Sequence, residues 1–408
     1  MKRISNRTIL FTLIGYIIYA FSIWIYLFHL VPTCTPVNYI GTAADALTFM
    51  PAELVDTSIR FARTRHLMFF LSTPYQLLMI LYFIRGSLGQ KTENWVKSKF
   101  IKKWLQVTVF YLFFAMYSFL TMLPLRFLSY RIAVYYGTSF MTISHWFTNR
   151  GIDFIVDFII YMVIIHVVLL LMNRFPRRWW LVAWIVFIPF AFFFMLMEPI
   201  LIDPLYNDFH PIQNSALEGR ILEMASDSGV SANRVFEVKM SDRTNTINGY
   251  VTGIGPTARI VLWDTALMQL DEDSILFLMA HEIAHYVYKD VYTAVGIAIL
   301  FAFGGLFVVY ICVEKINKNS LMRVPVAILT IYFLLFFISP ATNAISRQIE
   351  KRADAFALEM TNDNEAGIRL FQTLATTSLN ELNPPGLVRF FRSTHPSLFE
   401  RIIVLMGE

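Results

Sequence analysis

Apolar residues run along this chain in long unbroken blocks rather than in alternation. A membrane-crossing helix needs about 20 mostly apolar residues. Seven blocks meet that length: Thr8–Val31, His66–Ile84, Trp104–Leu125, Ile152–Met172, Trp179–Leu201, Val291–Val313 and Val324–Ala344. The first is too long in its apolar stretch, and lacks the small-residue cleavage pattern, to be a removable signal. Several tryptophans, among them Trp24, Trp104 and Trp179, fall near block ends, as interfacial aromatics do. Pro74 and Pro189 lie inside blocks, where neighbouring helices accommodate a kink.

The pattern changes twice. Residues 202–290 and 346–408 carry ordinary soluble composition. The chain therefore divides into a five-span region (1–201), a polar segment (202–290), a two-span hairpin (291–345) and a C-terminal helical segment (346–408). Within the polar segment, Leu217–Ser228 has helical spacing and Val235–Met240 alternates as a strand. Gly249–Gly253 and Arg259–Asp264 flank the turn signal Gly255-Pro256, which predicts a small β-hairpin or meander. Asp271 to about Tyr288 reads as a helix with three acidic residues at its start, where the dipole favours them. Arg347–Thr361 continues the seventh block as helix, and Pro384-Pro385-Gly386 breaks the chain before a last helix near Ser397–Met406.

Composition reinforces the membrane reading. Hydrophobic residues make up 56% of 408, charged residues 15%, and Phe alone occurs 38 times. A soluble domain carries roughly 25% charged residues. Disordered, collagenous and coiled-coil classes are excluded on the same figures. Cys34 and Cys312 are the only cysteines, so neither a disulfide framework nor a thiolate-built zinc site is available. The net charge of +5 comes without a Lys/Arg stripe interleaved with aromatics, and no nucleic-acid partner is expected.

The polar segment holds one motif with specific chemistry. His281-Glu282-Ile283-Ala284-His285 is an H-E-x-x-H sequence on the expected second helix. Residues four apart lie about 40° apart around a helix, so both imidazoles face one point. Two neutral imidazoles suit Zn2+, one per chain, and Glu282 between them is placed as general base toward a bound water. A catalytic zinc takes a third protein ligand and keeps an open position. No His follows at short spacing; the next is His395. Glu350 is the best-placed carboxylate, and Asp354 lies one turn further on the same face, where it can orient a ligand imidazole. Spacing alone leaves open that both belong to a solvated face among Arg347, Lys351 and Arg352. Elsewhere, Asp153 and Asp157 either line a cavity or sit at the membrane interface. His166 reads as a hydrogen-bonded packing residue, Glu198 as a site or helix-end residue, and Cys312 as core packing.

Further motifs accompany these residues. Pro204-Leu205-Tyr206-Asn207-Asp208-Phe209 follows the fifth block. Asn248-Gly249-Tyr250, Ile260-Val261-Leu262-Trp263-Asp264-Thr265, Glu350 with Asp354, and His395-Pro396 with Arg401 come after it. Together they resemble the CAAX prenyl protease 1 family of integral-membrane gluzincins, distant relatives of the HtpX-type proteases, over roughly residues 195–403. Gly249 departs from the family's alanine at that position. The resemblance implies that Glu350 is the third zinc ligand. It also implies that the strand around Asn248, Gly249 and Tyr250 is the edge on which an extended peptide lies, and that His395 and Arg401 are active-site groups. It implies a ring of seven helices around a chamber, with the zinc facing inward.

The resulting expectation is a mainly α, seven-span membrane bundle with a small α+β zincin-like catalytic domain. It acts as a zinc metalloendopeptidase on a peptide bound as an extended strand beside the lipid bilayer. A transport or scaffold protein with a structural metal is the alternative, but a structural site has no use for Glu282. The substrate class stays open between prenylated C-terminal tails and damaged membrane proteins. Orientation is in conflict. Fifteen Lys and Arg residues flank the spans on the amino-terminal side and six on the other, which places the amino terminus in the cytoplasm and the site away from it. The family topology implies the reverse.

Overall fold

The computed structural model describes residues 6–32, 35–197, 207–253 and 258–407. Of the motifs above, Cys34, Glu198, Pro204–Tyr206 and Gly255-Pro256 lie outside the described residues.

Membrane-length helices come first. α1 (Asn6–Ile25) continues as a π-helical turn to Leu30. α2 (Ala52–Arg85), α3 (Ser87–Lys99), α4 (Lys103–Tyr135), α5 (Ile143–Arg174) and α6 (Trp179–Met197) follow. α2, α4 and α5 run 34, 33 and 32 residues, far more than the apolar blocks that marked them. At 1.5 Å per residue each is about 50 Å long, against a hydrocarbon core of about 30 Å. Their extra turns project on the side that carries the polar segment. There Arg63 of α2 lies buried against Glu381 at 2.8 Å.

The polar segment forms β1 (Phe209–Pro211), α7 (Ser215–Asp227), β2 (Val235–Val238), β3 (Gly249–Thr252), β4 (Arg259–Trp263), α8 (Asp264–Gln269) and α9 (Glu272–Val287). The strand order is β1-β2-β4-β3. β3 and β4 are antiparallel, as the turn signal between them predicts, with Gly249 opposite Leu262. β2 instead lies parallel to β4, Val235 opposite Ile260, so the sheet is mixed rather than a meander. Asp264 holds the crossover. Its Oδ1 accepts from Met240 N at 2.8 Å and Ser241 N at 2.9 Å. Thr265 Oγ1 donates to Thr246 O at 2.8 Å, which fixes the approach to β3.

α10 (Asp290–Glu314) and α11 (Arg323–Thr361) form the hairpin, and α12 (Asn364–Thr377), α13 (Gly386–Phe391) and α14 (Leu398–Leu405) close the chain. α11 is one continuous 39-residue helix that begins in the membrane region and ends beside α9. A capping box of Ser397 and Glu400 starts α14.

A cavity of about 970 Å³ opens among the spans. α2, α4, α5, α6, α10 and α11 supply its walls. No residue of α1 is on this wall. α1 packs outside instead, with Tyr16 and Tyr19 donating to the α2 carbonyls of Leu71 and Phe70 at 3.0 and 2.9 Å. Asp153 and Asp157 face this chamber. His166 packs on its own helix, Nδ1 at 2.8 Å from Met162 O.

Candidate active site

α9 sits at the centre of the soluble core because it is apolar nearly all round. Asp271 caps it, accepting from Ser274 N at 2.8 Å. Phe277, Met279, Ala280, Ile283 and Ala284 are fully buried against the sheet, α11 and α12. Phe277 meets Phe371 edge-to-face at 6.0 Å between centroids. A helix held this firmly fixes the two imidazoles it carries, since neither can turn without moving the core.

His281 and His285 stand one turn apart with their Nε2 atoms 3.2 Å from each other. Each Nδ1 is engaged by a carboxylate: His281 by Asp354 Oδ1 at 2.9 Å, His285 by Asp290 Oδ2 at 3.0 Å. An Nδ1–H donating to a carboxylate leaves the Nε2 lone pair free. Two such lone pairs therefore face one another. Glu350 completes the group, with Oε2 3.2 Å from His281 Nε2 and Oε1 3.7 Å from His285 Nε2. One ligand atom from each of the three residues lies within 4.8 Å of the others. The Glu350 Oε2 atom is buried without a hydrogen bond. Three electron-pair donors converging on one point, one of them an orphaned carboxylate oxygen, fit a divalent metal and little else.

The electrostatics agree. Burial opposes charge on His281, but the neighbouring carboxylates of Asp354 and Glu350 outweigh that and lift it to about 9. The protein thus presents the metal position with a strong demand for positive charge. Burial also opposes the charge on Asp354, yet the Arg401 guanidinium and His281 hold it down to about 2. Arg401 Nε donates to Asp354 Oδ2 at 2.8 Å, and its guanidinium lies 4.0 Å from the Phe371 ring centroid. Arg401 therefore sits behind Asp354 rather than in front of the metal position.

Glu282 sits between the two imidazoles and is partly accessible. Burial raises its pKa, and the neighbouring imidazoles pull it back. His395 reaches in from the last segment, with Nε2 3.3 Å from Glu350 Oε2. Its side chain stays 55% accessible, so it lines an open cleft rather than the packed core. Gly249 and Tyr250 begin the edge strand β3, directly after Asn248, and β3 has no strand on its far side among the described residues. A Cβ on Gly249 would lie 3.3 Å from Met279 Sδ and 3.2 Å from Leu262 Cδ2. Glycine here lets β3 press directly onto the helix that carries His281 and His285. The chamber wall reaches Ile349 and Thr394, the sequence neighbours of Glu350 and His395.

Asp290 and Arg352 were not among the expected site residues. Asp290 is buried at the start of α10 and is bridged by Arg352. A carboxylate five residues beyond the second His is a visible feature of the sequence, where it marks only the end of the polar segment.

The sequence profile of Peptidase family M48 matches residues 211–408, and that of the CAAX prenyl protease N-terminal region, five membrane helices, matches residues 43–208. The chain is 34% identical to the uncharacterized metalloprotease YhfN of Bacillus subtilis, over 95% of this chain and 94% of that one. It is 31% identical to a CAAX prenyl protease 1 homolog of Arabidopsis thaliana, over 52% of this chain and 53% of that one. The crystal structure of S. mikatae Ste24p superposes with a TM-score of 0.81 at 21% identity, covering 97% of both chains. That likeness extends the shared architecture over the membrane helices as well as the sheet and α9. Metal-ligand geometry, membrane helices and family profiles converge: the chain belongs to peptidase family M48 and is an integral-membrane metalloprotease.

Proposed function

We propose that the metal is zinc, held by His281, His285 and Glu350, and that the protein is an endopeptidase for membrane-associated polypeptides. The observation that carries this is the pair of facing Nε2 atoms, 3.2 Å apart, with both Nδ1 atoms tied to carboxylates. A His2Glu set matches zinc in hydrolytic sites. Zinc bound there would supply Lewis acidity to the scissile carbonyl and to water.

The chain's own groups do the rest. Glu282 takes the proton of the attacking water and returns it to the leaving amine. Its raised pKa favours that return. His395 donates a hydrogen bond to the developing oxyanion from the open side of the cleft. Asp354 and Asp290 keep both imidazoles in the ligand tautomer, and Arg401 keeps Asp354 in place. The substrate backbone pairs with the free edge of β3 from Asn248 to Tyr250. The division at 201, 290 and 345 follows from this reading, since the hairpin α10–α11 brings Glu350 to the histidines.

Elemental analysis of the purified full-length protein should give one zinc per chain, and Glu350→Ala should lose it. Another metal at full occupancy, or undiminished zinc in the variant, would overturn the assignment. The Arabidopsis relative is named for CAAX prenyl substrates. The largely apolar chamber beside the cleft supports a substrate with an apolar portion, and covalent lipid and apolar peptide both qualify. Comparing membrane proteomes of wild-type and Glu282→Gln cells identifies which accumulates.

The same reading gives seven spans with a cytoplasmic amino terminus and a site opening away from the cytoplasm, by charge count. Gly89 is unsuitable as a labelling position, because a Cβ there would meet Phe83 O at 2.3 Å. Gln90→Cys and Ser231→Cys are both exposed alternatives. In intact cells an impermeant maleimide should modify Ser231→Cys and spare Gln90→Cys, in a background lacking Cys34 and Cys312. The opposite pattern reverses the orientation.

A further inference from the structure

α3 (Ser87–Lys99) is 13 residues long, too short to cross a bilayer, and it shows three faces rather than two. At about 100° per residue its side chains sort into arcs around the helix. Gly89, Glu93 and Val96 share the first arc and are buried. Glu93 is fixed there: its carboxylate accepts from Leu321 N at 2.9 Å, Ser320 Oγ at 3.0 Å and Lys97 Nζ at 2.6 Å. Val96 has no accessible surface and packs in the cluster of Phe83, Phe110 and Met322. This arc fastens α3 to the ends of α2, α4 and α11. Gln90, Asn94, Lys97 and Ser98 form the second arc, all polar and all exposed, as a face toward water requires. Leu88, Lys91, Trp95 and Lys99 form the third, within about 80° of one another. They too are exposed, and apolar residues alternate with cations along the arc.

The surroundings of the third arc show what covers it. α4 begins at Lys103 and is long and apolar enough to cross the membrane. Its Leu112, Phe113, Met116 and Leu120 are exposed and lie within about 100° of one another, which makes them its side toward lipid. Trp95 meets Phe113 edge-on, with ring centroids 5.4 Å apart. The third arc is therefore continuous with the lipid-facing side of α4, at the end of that helix. Ile101, 99% accessible, and Trp104 extend the apolar surface through the turn between α3 and α4. A fully bared isoleucine gains nothing in water but inserts at the boundary of headgroups and acyl chains. Lys102 and Lys103 stand beside it. Among the described residues Lys91, Lys99, Lys102 and Lys103 have no carboxylate partner, and Glu93, the one acid between residues 85 and 103, is already engaged. Lysine stems lie along apolar surface while their ammonium groups reach the level of the phosphates.

We propose that α3 and the turn into α4 form a binding surface for anionic phospholipid. Leu88, Trp95, Ile101 and Trp104 enter the acyl boundary, and Lys91, Lys99, Lys102 and Lys103 take the headgroup phosphates. The proposal is independent of the peptidase reading. Because Glu93 ties α3 to the turn that precedes α11, lipid bound there also steadies the membrane end of the helix that carries Glu350.

The test uses the full chain in detergent, equilibrated with equal amounts of phosphatidylglycerol and phosphatidylcholine of matched acyl chains, with bound lipid counted by native mass spectrometry. Wild type should retain phosphatidylglycerol over phosphatidylcholine at least about fivefold, the worth of one basic residue at an anionic membrane surface. Lys91→Gln, Lys99→Gln, Lys102→Gln and Lys103→Gln together should bring that ratio to about one. Phosphatidylglycerol should raise the melting temperature of wild type and not of this variant. Trp95→Ala should lower phosphatidylglycerol retention at least about twofold, since the acyl boundary loses its anchor. Equal retention of the two lipids by wild type, or an unchanged ratio in the fourfold variant, would overturn the proposal. An equal loss in a variant with Arg174, Arg177 and Arg178 of the α5–α6 loop changed to Gln would overturn it in favour of net charge alone. Displacement of the lipid by excess inorganic phosphate would assign the lysines to a soluble anion instead.

Discussion

The soluble core around α9 and the chamber among the spans are both built from apolar helices, yet they are put together in opposite ways. Around α9, Phe277 and Met279 have no accessible surface, and Gly367 is packed so closely that a Cβ would meet Phe277 and Leu405 side chains at 2.8 and 2.6 Å. Among the spans, helices of greater apolarity stand apart around some 970 Å³. Hydrophobicity does not by itself decide density. Water squeezes the soluble core shut, whereas lipid gives the spans no comparable push toward one another. The dense region can hold three ligands to fractions of an ångström. The open one can receive a bulky guest.

Five substitutions test that contrast. Glu282→Gln alters chemistry alone: hydrolysis should fall about 10²–10⁴-fold while elemental analysis shows the metal retained. Retained activity would remove Glu282 from the mechanism. Phe277→Ala should cost the dense core about 3–5 kcal/mol and lower the melting temperature in detergent, while Phe301→Ala in the chamber wall should cost under about 1 kcal/mol. Equal losses would mean that the two regions are packed alike. His395→Ala should lower the turnover number about 10²–10³-fold at unchanged metal content. An unchanged turnover number makes it a bystander at the cleft mouth. Asp290→Asn should weaken metal affinity about 10- to 100-fold, read by competition with a chelator. No change there would show that the rigid core alone orients His285.

What was legible in the sequence follows from range. His281, Glu282 and His285 share one helical turn, so their meeting needs only helix geometry. Glu350 required a pairing of α9 with α11 that spacing leaves open and family motifs supply. The Arg392 contact with His66 joins residues 326 positions apart, and no local pattern announces it. β1 escaped because three residues ending in Pro211 are too short to alternate. The parallel pairing of β2 with β4 escaped because neighbouring strands in sequence suggest a meander. The outer turns of α2, α4 and α5 escaped because apolar blocks mark only what lies in lipid, and those turns are polar enough to end the pattern.

α11 carries membrane residues and Glu350 on one rod, with Pro340 inside it. Glu350 lies ten residues beyond that proline, about 15 Å along the axis. A tilt change of roughly 5° pivoting at Pro340 would carry the carboxylate a little over 1 Å, enough to matter for a ligand. Tilt responds to bilayer thickness. With Glu350 as the proposed ligand, the acyl-chain length of the host membrane would act on catalysis through a lever that reaches from the lipid to the reacting bond.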